Sequence, residues 1–238
     1  MDAARINQLL EPYLHGDSAS ATAELSSRQH AQISTYIDLL IRWNARVNLT
    51  AIRTPQEIIT RHFGESFFAA RHLLPASPGS TGAGAAAGVS PFGSAPANSP
   101  LPATGFLVDF GSGAGFPGLP MKIWAPHTHV MLIESNHKKV AFLREVIRAL
   151  TLIDVNVFQG RAEDFPPASA ALLTLRAVER FDAALATAAR LVAPAGRLAL
   201  LIGQSQVVRA RSLVPEFSWS PPIAVPGSEA RVLLRGQK

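Results

Sequence analysis

The chain has 238 residues, 47% of them hydrophobic, which is enough for one large domain with a core of its own. It contains no cysteine, which excludes disulfides, thiolate metal sites and cysteine nucleophiles, and no apolar run approaches the roughly 18–20 residues of a membrane helix. The net charge of +5 favours an acidic partner only slightly, although 18 of the 22 basic residues are arginine, the cation best suited to phosphate. The N-terminus lacks the apolar stretch of a signal peptide, so we expect a cytoplasmic protein without membrane contact.

Residues 26–75 carry two helical patterns. The first begins at Ser26 or Ser27 as N-cap and places apolar side chains at spacings of three and four, which predicts one buried face. That face consists of Ile33, Tyr36, Ile37, Leu40 and Ile41. The second helix begins with Thr54 as cap, Pro55 at the first helical position and Glu57 in a capping box, and it ends at Pro75.

Residues 76–104 contain no Asp, Glu, Lys, Arg or His and consist almost entirely of small residues and proline. Such a stretch cannot bury enough apolar surface to order itself, so we interpret it as a flexible insertion. We therefore expect an N-terminal helical extension at 1–75, the insertion at 76–104 and the main domain at 105–238.

After the insertion, strands and helices alternate. The predicted strands are 105–110, 130–135, 155–160, 172–178, 196–203 and 230–236, and the predicted helices include 137–152 and 179–193. This order predicts an α/β fold with an open, mostly parallel sheet that is covered on both faces. Ligands of such sheets bind beyond the carboxyl ends of the strands.

A glycine-rich turn follows the first of these strands, with Asp109 just before it. The turn contains Gly111, Gly113, Gly115 and Gly118, of which the last three satisfy the G-x-G-x-x-G pattern. Exposed backbone of this kind lets a ligand approach closely, and this is the interpretation we favour over the alternative, that the glycines only permit tight packing of strand against helix.

Acidic residues at the ends of the next two strands favour an adenosine-containing cofactor. Glu134 is placed to accept both ribose hydroxyls, and Ala162 and Glu163 follow the third strand beside the same crevice. A dinucleotide and S-adenosylmethionine are both candidates. Pro117 and Pro120 remove N–H donors that a pyrophosphate would need, whereas backbone carbonyls of the turn, near Asp109, suit a methionine amino group, so we favour S-adenosylmethionine.

Four separated stretches carry a family resemblance: YIDLLIRWNARVNLTAIRTPQEIITRHFGESF, VDFGSGAGFPGLPMKIWAPHTHVMLIESNHKKVAFLREV, GRAEDF and TLRAV. In this order they resemble the RsmG (GidB) family, the bacterial 16S ribosomal RNA guanine-N7 methyltransferases. The resemblance covers about residues 33–72 and 105–203. It implies a Rossmann-like class I S-adenosylmethionine-dependent methyltransferase fold with an N-terminal helical extension, S-adenosylmethionine as cofactor, and 16S ribosomal RNA or the small ribosomal subunit as partner.

The resemblance also implies site residues. Cofactor contacts fall at Gly111, Phe116, Ala162, Glu163 and Arg176, to which our own reading adds Gly113, Gly115 and Glu134. Candidate RNA contacts are Arg61, His62, Arg144 and Arg148. The two candidate basic patches are Arg42, Arg46, Arg53 and Arg61, and Lys138, Lys139, Arg144 and Arg148. A solvated helix face is the default interpretation of the second patch, and phosphate contact is the alternative.

Guanine N7 carries a lone pair and no proton, so its methylation needs placement rather than a general base. We assign no catalytic acid or base and no metal, and treat His127 and His129 as surface residues. Arg176 is expected to orient cofactor and base, or else to form an ion pair with Glu163 or Asp164.

The chain departs from the family pattern at two positions. Glu65 stands where an aspartate is usual, and Ile202 stands where a lysine is usual. We expect little effect from Glu65. Because Ile202 removes a cation, a catalytically weakened RNA-binding protein remains an alternative, as does a methyltransferase for a protein or small molecule. We expect a monomer.

Overall fold

The computed structural model describes residues 2–15, 24–74 and 106–238. The predicted insertion at 76–104 and the predicted helix end at Pro75 lie outside these residues, so the division of the chain into three segments stays a prediction. Within the described ranges no helix is long and apolar enough to cross a membrane.

Helices form the N-terminal part of the chain: α1 (Ala3–Leu14), α2 (Ser27–Asn44), the single turn α3 (Pro55–Glu57), a π-helical segment (Ile58–Gly64) and α4 (Glu65–Leu73). Two predicted caps are confirmed. Ser26 accepts from the Gln29 amide in a reciprocal capping box, and Thr54 accepts from the Glu57 amide. Helix α1 was not predicted, although Asp2 caps it through the Arg5 amide.

The second predicted helix is interrupted, since the π-helical turns widen it between α3 and α4. His62 lies in this segment, and its carbonyl accepts from the Ser66 hydroxyl at 2.6 Å. The period of apolar residues does not reveal one extra residue per turn, so the sequence predicted a regular helix. The predicted apolar face of α2 also needs a correction, because Ile41 is 40% exposed while Tyr36 and Leu40 are fully buried.

Within the described part of the chain the sheet has eight strands: β1 (Phe106–Phe110), β2 (Val130–Glu134), β3 (Val155–Gln159), β4 (Ala170–Arg176), β5 (Val192–Gly203), β6 (Ser218–Trp219), β7 (Ile223–Ala224) and β8 (Arg231–Gln237). Their order is β3-β2-β1-β4-β5-β8-β6, and β7 pairs with β8. The first five strands pair in parallel, whereas β8 runs antiparallel to β5. The predicted α/β class is confirmed. The two-residue strands β6 and β7 are too short to leave a periodic signal and were not predicted.

Between residues 106 and 238, four further α-helices accompany the sheet: α5 (Gly118–Trp124), α6 (His137–Ala149), α7 (Phe181–Leu191) and α8 (Val207–Leu213). Helix α7 ends two residues before its predicted end, because Val192 and Ala193 already belong to β5. The buried side chains of the described residues form two hydrophobic clusters. One joins the N-terminal helices, α5 and α6 to the sheet, and the other joins α7 and α8 to it.

The strand order reverses between β1 and β4, since the chain proceeds from β1 outward to β3 and then returns to β4 on the other side. Such a switch point leaves a crevice at the carboxyl ends of the two strands, where α/β proteins bind ligands. The glycine turn follows β1 at this point, and Arg176 ends β4.

Candidate cofactor and substrate site

The first half of the glycine turn is open. Gly111 and Gly113 have φ angles of +64° and +57°, a conformation that side chains disfavour. A Cβ on Gly113 would find no heavy atom nearer than the Gly111 carbonyl at 3.8 Å, and one on Gly111 would meet only Val178 at 3.6 Å. Backbone is therefore accessible here in a way that a ligand can use.

The second half of the turn is closed by the protein. A Cβ on Gly115, whose φ is +89°, would collide with the Tyr36 hydroxyl and lie 2.6 Å from Leu119. A Cβ on Gly118 would lie 2.7 Å from Leu132 and 2.8 Å from the Asp109 carboxylate. These two glycines permit internal packing, so both explanations of the motif hold, each for one half of it.

Asp109 is committed to the fold. Its carboxylate accepts from the Gly118 amide at 3.1 Å and from the Thr174 hydroxyl at 2.8 Å, and the residue is 1% exposed. Burial raises the pKa of Asp109 to about 6, against the opposing effect of these hydrogen bonds. Asp109 was expected near the amino group of a ligand. Because its carboxylate is buried and already accepts from two protein donors, it offers that group no open acceptor. The side chain instead ties β1 to β4 and to the start of α5.

Glu134 fastens the open half of the turn. Its two carboxylate oxygens accept from the Gly113 amide at 2.9 Å and from the Asn136 amide at 2.8 Å. The residue is 7% exposed at the end of β2. A carboxylate offers about four lone-pair directions, so the two bonds leave acceptor capacity for hydroxyl groups of a ligand.

Ala162 and Glu163 lie in a 3₁₀ turn that follows β3. Arg190 of α7 holds this turn, donating to the Glu163 carbonyl at 2.8 Å and to the Ala162 carbonyl at 3.4 Å. Ala162 is buried and Glu163 is exposed. Arg190 carries no motif, and sequence analysis did not find it.

Phe116 is enclosed by aromatic rings from the N-terminal helices. The His62 ring stacks on it with centroids 4.5 Å apart, and the Tyr36 ring stacks on it at 5.1 Å. Phe63 meets the same ring edge-on at 5.4 Å. Tyr36 also donates a buried hydrogen bond to the Ala114 carbonyl at 2.5 Å, so α2 holds the turn directly. Spacing placed Tyr36 on an apolar face but gave no sign of this contact.

His62 is a neutral, fully engaged histidine. The Arg176 guanidinium can only donate, so Nδ1 of His62 accepts from it at 3.3 Å and the ring proton lies on Nε2. Nε2 then donates to the Thr50 hydroxyl at 2.8 Å. Burial, reinforced by Arg176, lowers the pKa of His62 to about 3. With both nitrogens occupied, His62 serves as a wall of the site rather than as a base.

Arg176 forms its ion pair with Glu65, and the expected pairing with Glu163 or Asp164 is wrong. The guanidinium lies 3.1 Å from Glu65 and donates to the Arg61 carbonyl at 2.7 Å. Its Nη1 is buried without a hydrogen-bond partner among the described residues, which leaves a donor for a ligand. Glu65 is also 2.7 Å from Arg231 of β8, a residue beyond the recognised motifs. Burial raises the pKa of Glu65, while the two arginines oppose the rise.

The remaining basic candidates are exposed. Arg61 contributes its carbonyl to Arg176 while its side chain faces solvent. Arg144 and Arg148 are exposed on α6. Glu145 of the same helix accepts from Trp43 at 3.0 Å and from Arg42 at 3.3 Å, so the two predicted basic patches border each other where α2 meets α6.

Ile202 lies in the hydrophobic cluster beneath α7 and α8. It is 4% exposed and pairs with Val232 across β5 and β8. The described residues contain no group of three potential metal ligands.

Solved methyltransferase structures resemble this chain. A SAM-dependent methyltransferase from Aquifex aeolicus has a TM-score of 0.48 at 14% identity, covering 56% of this chain and 81% of that one. TYW2 from M. jannaschii, solved in complex with AdoMet, has a TM-score of 0.46 at 14% identity, covering 58% of this chain and 69% of that one.

Curated relatives are much more similar in sequence. A ribosomal RNA small subunit methyltransferase G from Chloroflexus aggregans is 36% identical over 222 residues, which cover 88% of this chain and 82% of the relative. A relative with the same description from Xanthomonas oryzae pv. oryzae is 34% identical over 174 residues, 73% and 68% of the two chains. The family model for GidB, rRNA small subunit methyltransferase G, matches residues 29–88 and 98–218. The chain therefore belongs to the GidB family of ribosomal RNA small subunit methyltransferases.

Proposed function

We propose that this chain transfers a methyl group from S-adenosylmethionine to N7 of a guanine in 16S ribosomal RNA of the small subunit. The observation that carries the proposal is the open half of the glycine turn at the strand-order switch, fastened by Glu134. The family membership supplies the reaction class.

The residues present fit the methyl donor. Gly111 and Gly113 leave room against the backbone that any Cβ would fill, and Glu134 retains acceptor capacity for ribose hydroxyls. The pair Ala162 and Glu163 lies beyond β3 on the same edge of the sheet, where the adenine would extend. When bound, the cofactor supplies an electrophilic methyl group on a sulfonium.

The chain's own contribution is placement. Guanine N7 attacks through a lone pair, so no proton must be removed, and the half-buried His62 of the site has no free nitrogen to remove one. Arg176 is locked by Glu65 and by the Arg61 carbonyl, and its unpartnered Nη1 is available to orient cofactor or base. Walls of Phe116 and His62 exclude water from one side.

A second candidate function rests on Ile202. A buried isoleucine in place of the family's usual lysine supports a weakened enzyme that retains RNA binding. The two functions differ in turnover and not in affinity for RNA.

The test joins one measurement in cells with one in vitro. Mass spectrometry should show that 16S ribosomal RNA from a strain without the gene lacks one methyl group on one guanine. The purified chain should restore that methyl group when S-adenosylmethionine is supplied. RNA that is unchanged in the deletion strain refutes the proposal. Binding of RNA and cofactor without turnover supports the weakened protein instead, and methylation of a protein or metabolite supports a different substrate.

A further inference from the structure

A small pocket lies at the end of α2, which we call the Ile41 pocket. It encloses about 110 Å³ and is lined by Leu40, Ile41, Asn44, Ala45, Ile52, Arg53 and Ile58. Its wall is mostly apolar, yet Ile41 in that wall is 40% exposed, one of three large hydrophobic side chains so exposed among the described residues. The volume suits a single planar ring and is too small for a segment of polypeptide.

The rim of the Ile41 pocket is basic. Arg53 lines it and Arg46 lies one residue beyond Ala45, and within the described ranges neither side chain has a hydrogen bond or ion pair. Two neighbouring acidic side chains already have partners: Glu145 forms an ion pair with Arg42, and Glu57 accepts a hydrogen bond from the Thr54 hydroxyl. Asp38 is exposed one turn earlier on α2. Two free guanidinium groups beside an apolar cleft complement a nucleotide, with its flat base and its phosphate.

A fixed loop connects the Ile41 pocket to the site. The side-chain oxygen of Asn44 accepts from the backbone amides of Leu49 and Thr50 at 2.9 and 3.0 Å. Its side-chain nitrogen donates to the Thr50 carbonyl at 2.9 Å. Thr50 in turn accepts from His62, which stacks on Phe116. One wall of the pocket and one wall of the candidate site therefore belong to the same hydrogen-bonded unit.

We infer that the Ile41 pocket holds a nucleobase of the RNA substrate that neighbours the methylated guanine, while Arg46 and Arg53 contact its phosphates. The inference rests on the proposed function. Single-stranded RNA is recognised mainly through unstacked bases that pack on apolar or guanidinium surfaces, and a preformed pocket lowers the cost of holding one.

The test compares Ile41→Glu with the control Ile153→Glu. Both replace an exposed isoleucine by a carboxylate, and Ile153, 71% exposed, lies outside the pocket and the site. With unmethylated small subunits as substrate, Ile41→Glu should raise KM for RNA about tenfold. Its kcat and its affinity for S-adenosylmethionine should stay unchanged, and the control should match the unaltered chain.

A second variant tests the phosphate contact. Arg53→Gln should weaken binding to protein-free 16S ribosomal RNA a few-fold and reduce the slope of log affinity against log salt by about 1. It also preserves the test should Ile41→Glu fail to fold.

Three results overturn the inference. One is an Ile41→Glu variant within twofold of the control for KM, and another is an Arg53→Gln variant with an unchanged salt slope. The third is an effect of Ile41→Glu on assembled subunits that disappears with protein-free RNA, because the pocket would then hold part of a ribosomal protein. Failure of the proposed function is distinct, since the unaltered chain would then methylate no RNA at all.

Discussion

The two halves of the glycine turn differ in what lies opposite the backbone. Cβ atoms on Gly111 and Gly113 would meet nothing nearer than 3.6 Å among the described residues, and Glu134 holds Gly113 through its amide. Gly115 and Gly118 face Tyr36, Leu132 and Asp109 at contact distance. Identical residues in one motif thus serve a ligand at one end and the core at the other. The pattern of letters does not separate these uses, because they depend on residues from other elements.

The largest effect should come from the closed half. Gly118→Ala places a methyl group 2.7 Å from Leu132 and 2.8 Å from Asp109, which are both buried. We expect the free energy of unfolding to fall by about 3 kcal/mol, the cost of overpacking a rigid core. Denaturant unfolding of both chains measures it. A loss below about 1 kcal/mol would mean that the closed half has room for a methyl group, as the open half does.

His62 packs on Phe116, between the two glycines of the closed half, and should make the stability of the protein sensitive to acid. The pKa of His62 is about 3 in the folded chain against 6.5 as the ordinary value, so only the unfolded chain gains its proton between these pH values. Stability is then lost as pH falls through this window, by about 2 kcal/mol between pH 7 and pH 5.

The variant His62→Gln isolates this effect. Asp109, whose pKa is raised to about 6, acts in the opposite direction, because the folded chain binds its proton first, but it does so in both chains. Unfolding at pH 7 and pH 5 should therefore show a steeper acid loss for the unaltered chain. Equal losses would mean that His62 is protonated in the folded protein.

A smaller effect is expected from Tyr36→Phe, which keeps the ring stack but removes the donor to the buried Ala114 carbonyl. We expect a loss of about 1.5 kcal/mol in unfolding free energy, since a buried acceptor loses its partner. The control is Tyr13→Phe, because the Tyr13 hydroxyl makes no hydrogen bond within the described residues. Similar losses for both variants would show that the hydroxyl of Tyr36 does not hold the turn.

The smallest change in stability should come from the open half. Gly113→Ala costs about 1 kcal/mol for a positive φ, and its methyl group meets nothing nearer than the Gly111 carbonyl at 3.8 Å. Its added methyl group occupies the space assigned to the cofactor, so affinity for S-adenosylmethionine should fall about tenfold, equivalent to about 1.4 kcal/mol. Calorimetric titration of Gly113→Ala beside Gly118→Ala sharpens the comparison. Unchanged affinity for the first variant would place the cofactor elsewhere.

Much of the fold was predictable because each element carries its own signal. The parallel strands are short apolar runs between turn residues, and the caps at Ser26 and Thr54 act within three residues of themselves. The signals failed where neighbours decide the conformation. The π-helical turns around His62 and the exposure of Ile41 are examples, since neither follows from the spacing of apolar residues.

The site divides in the same way. Glu134 was found because its distance along the chain from the glycines reflects one strand–helix–strand unit, a local property. The partner of Arg176 was predicted wrongly, because candidates close in sequence were preferred to Glu65, which lies on a helix from the other end of the chain. Arg231, which shares Glu65, lies in β8 and carried no motif.

The sequence by itself determined the α/β class, the glycine turn after β1, the acid after β2 and the family to which the chain belongs, because each of these is written in contiguous residues. Only the tertiary structure decided which glycines stay open, which carboxylate is buried in the core, and which side chains lock His62 and Arg176. Those outcomes depend on burial and on hydrogen bonds between segments more than a hundred residues apart, such as Arg61 and Arg176. The partner of each polar group depends on how distant segments pack together, and their order along the chain does not reveal that packing.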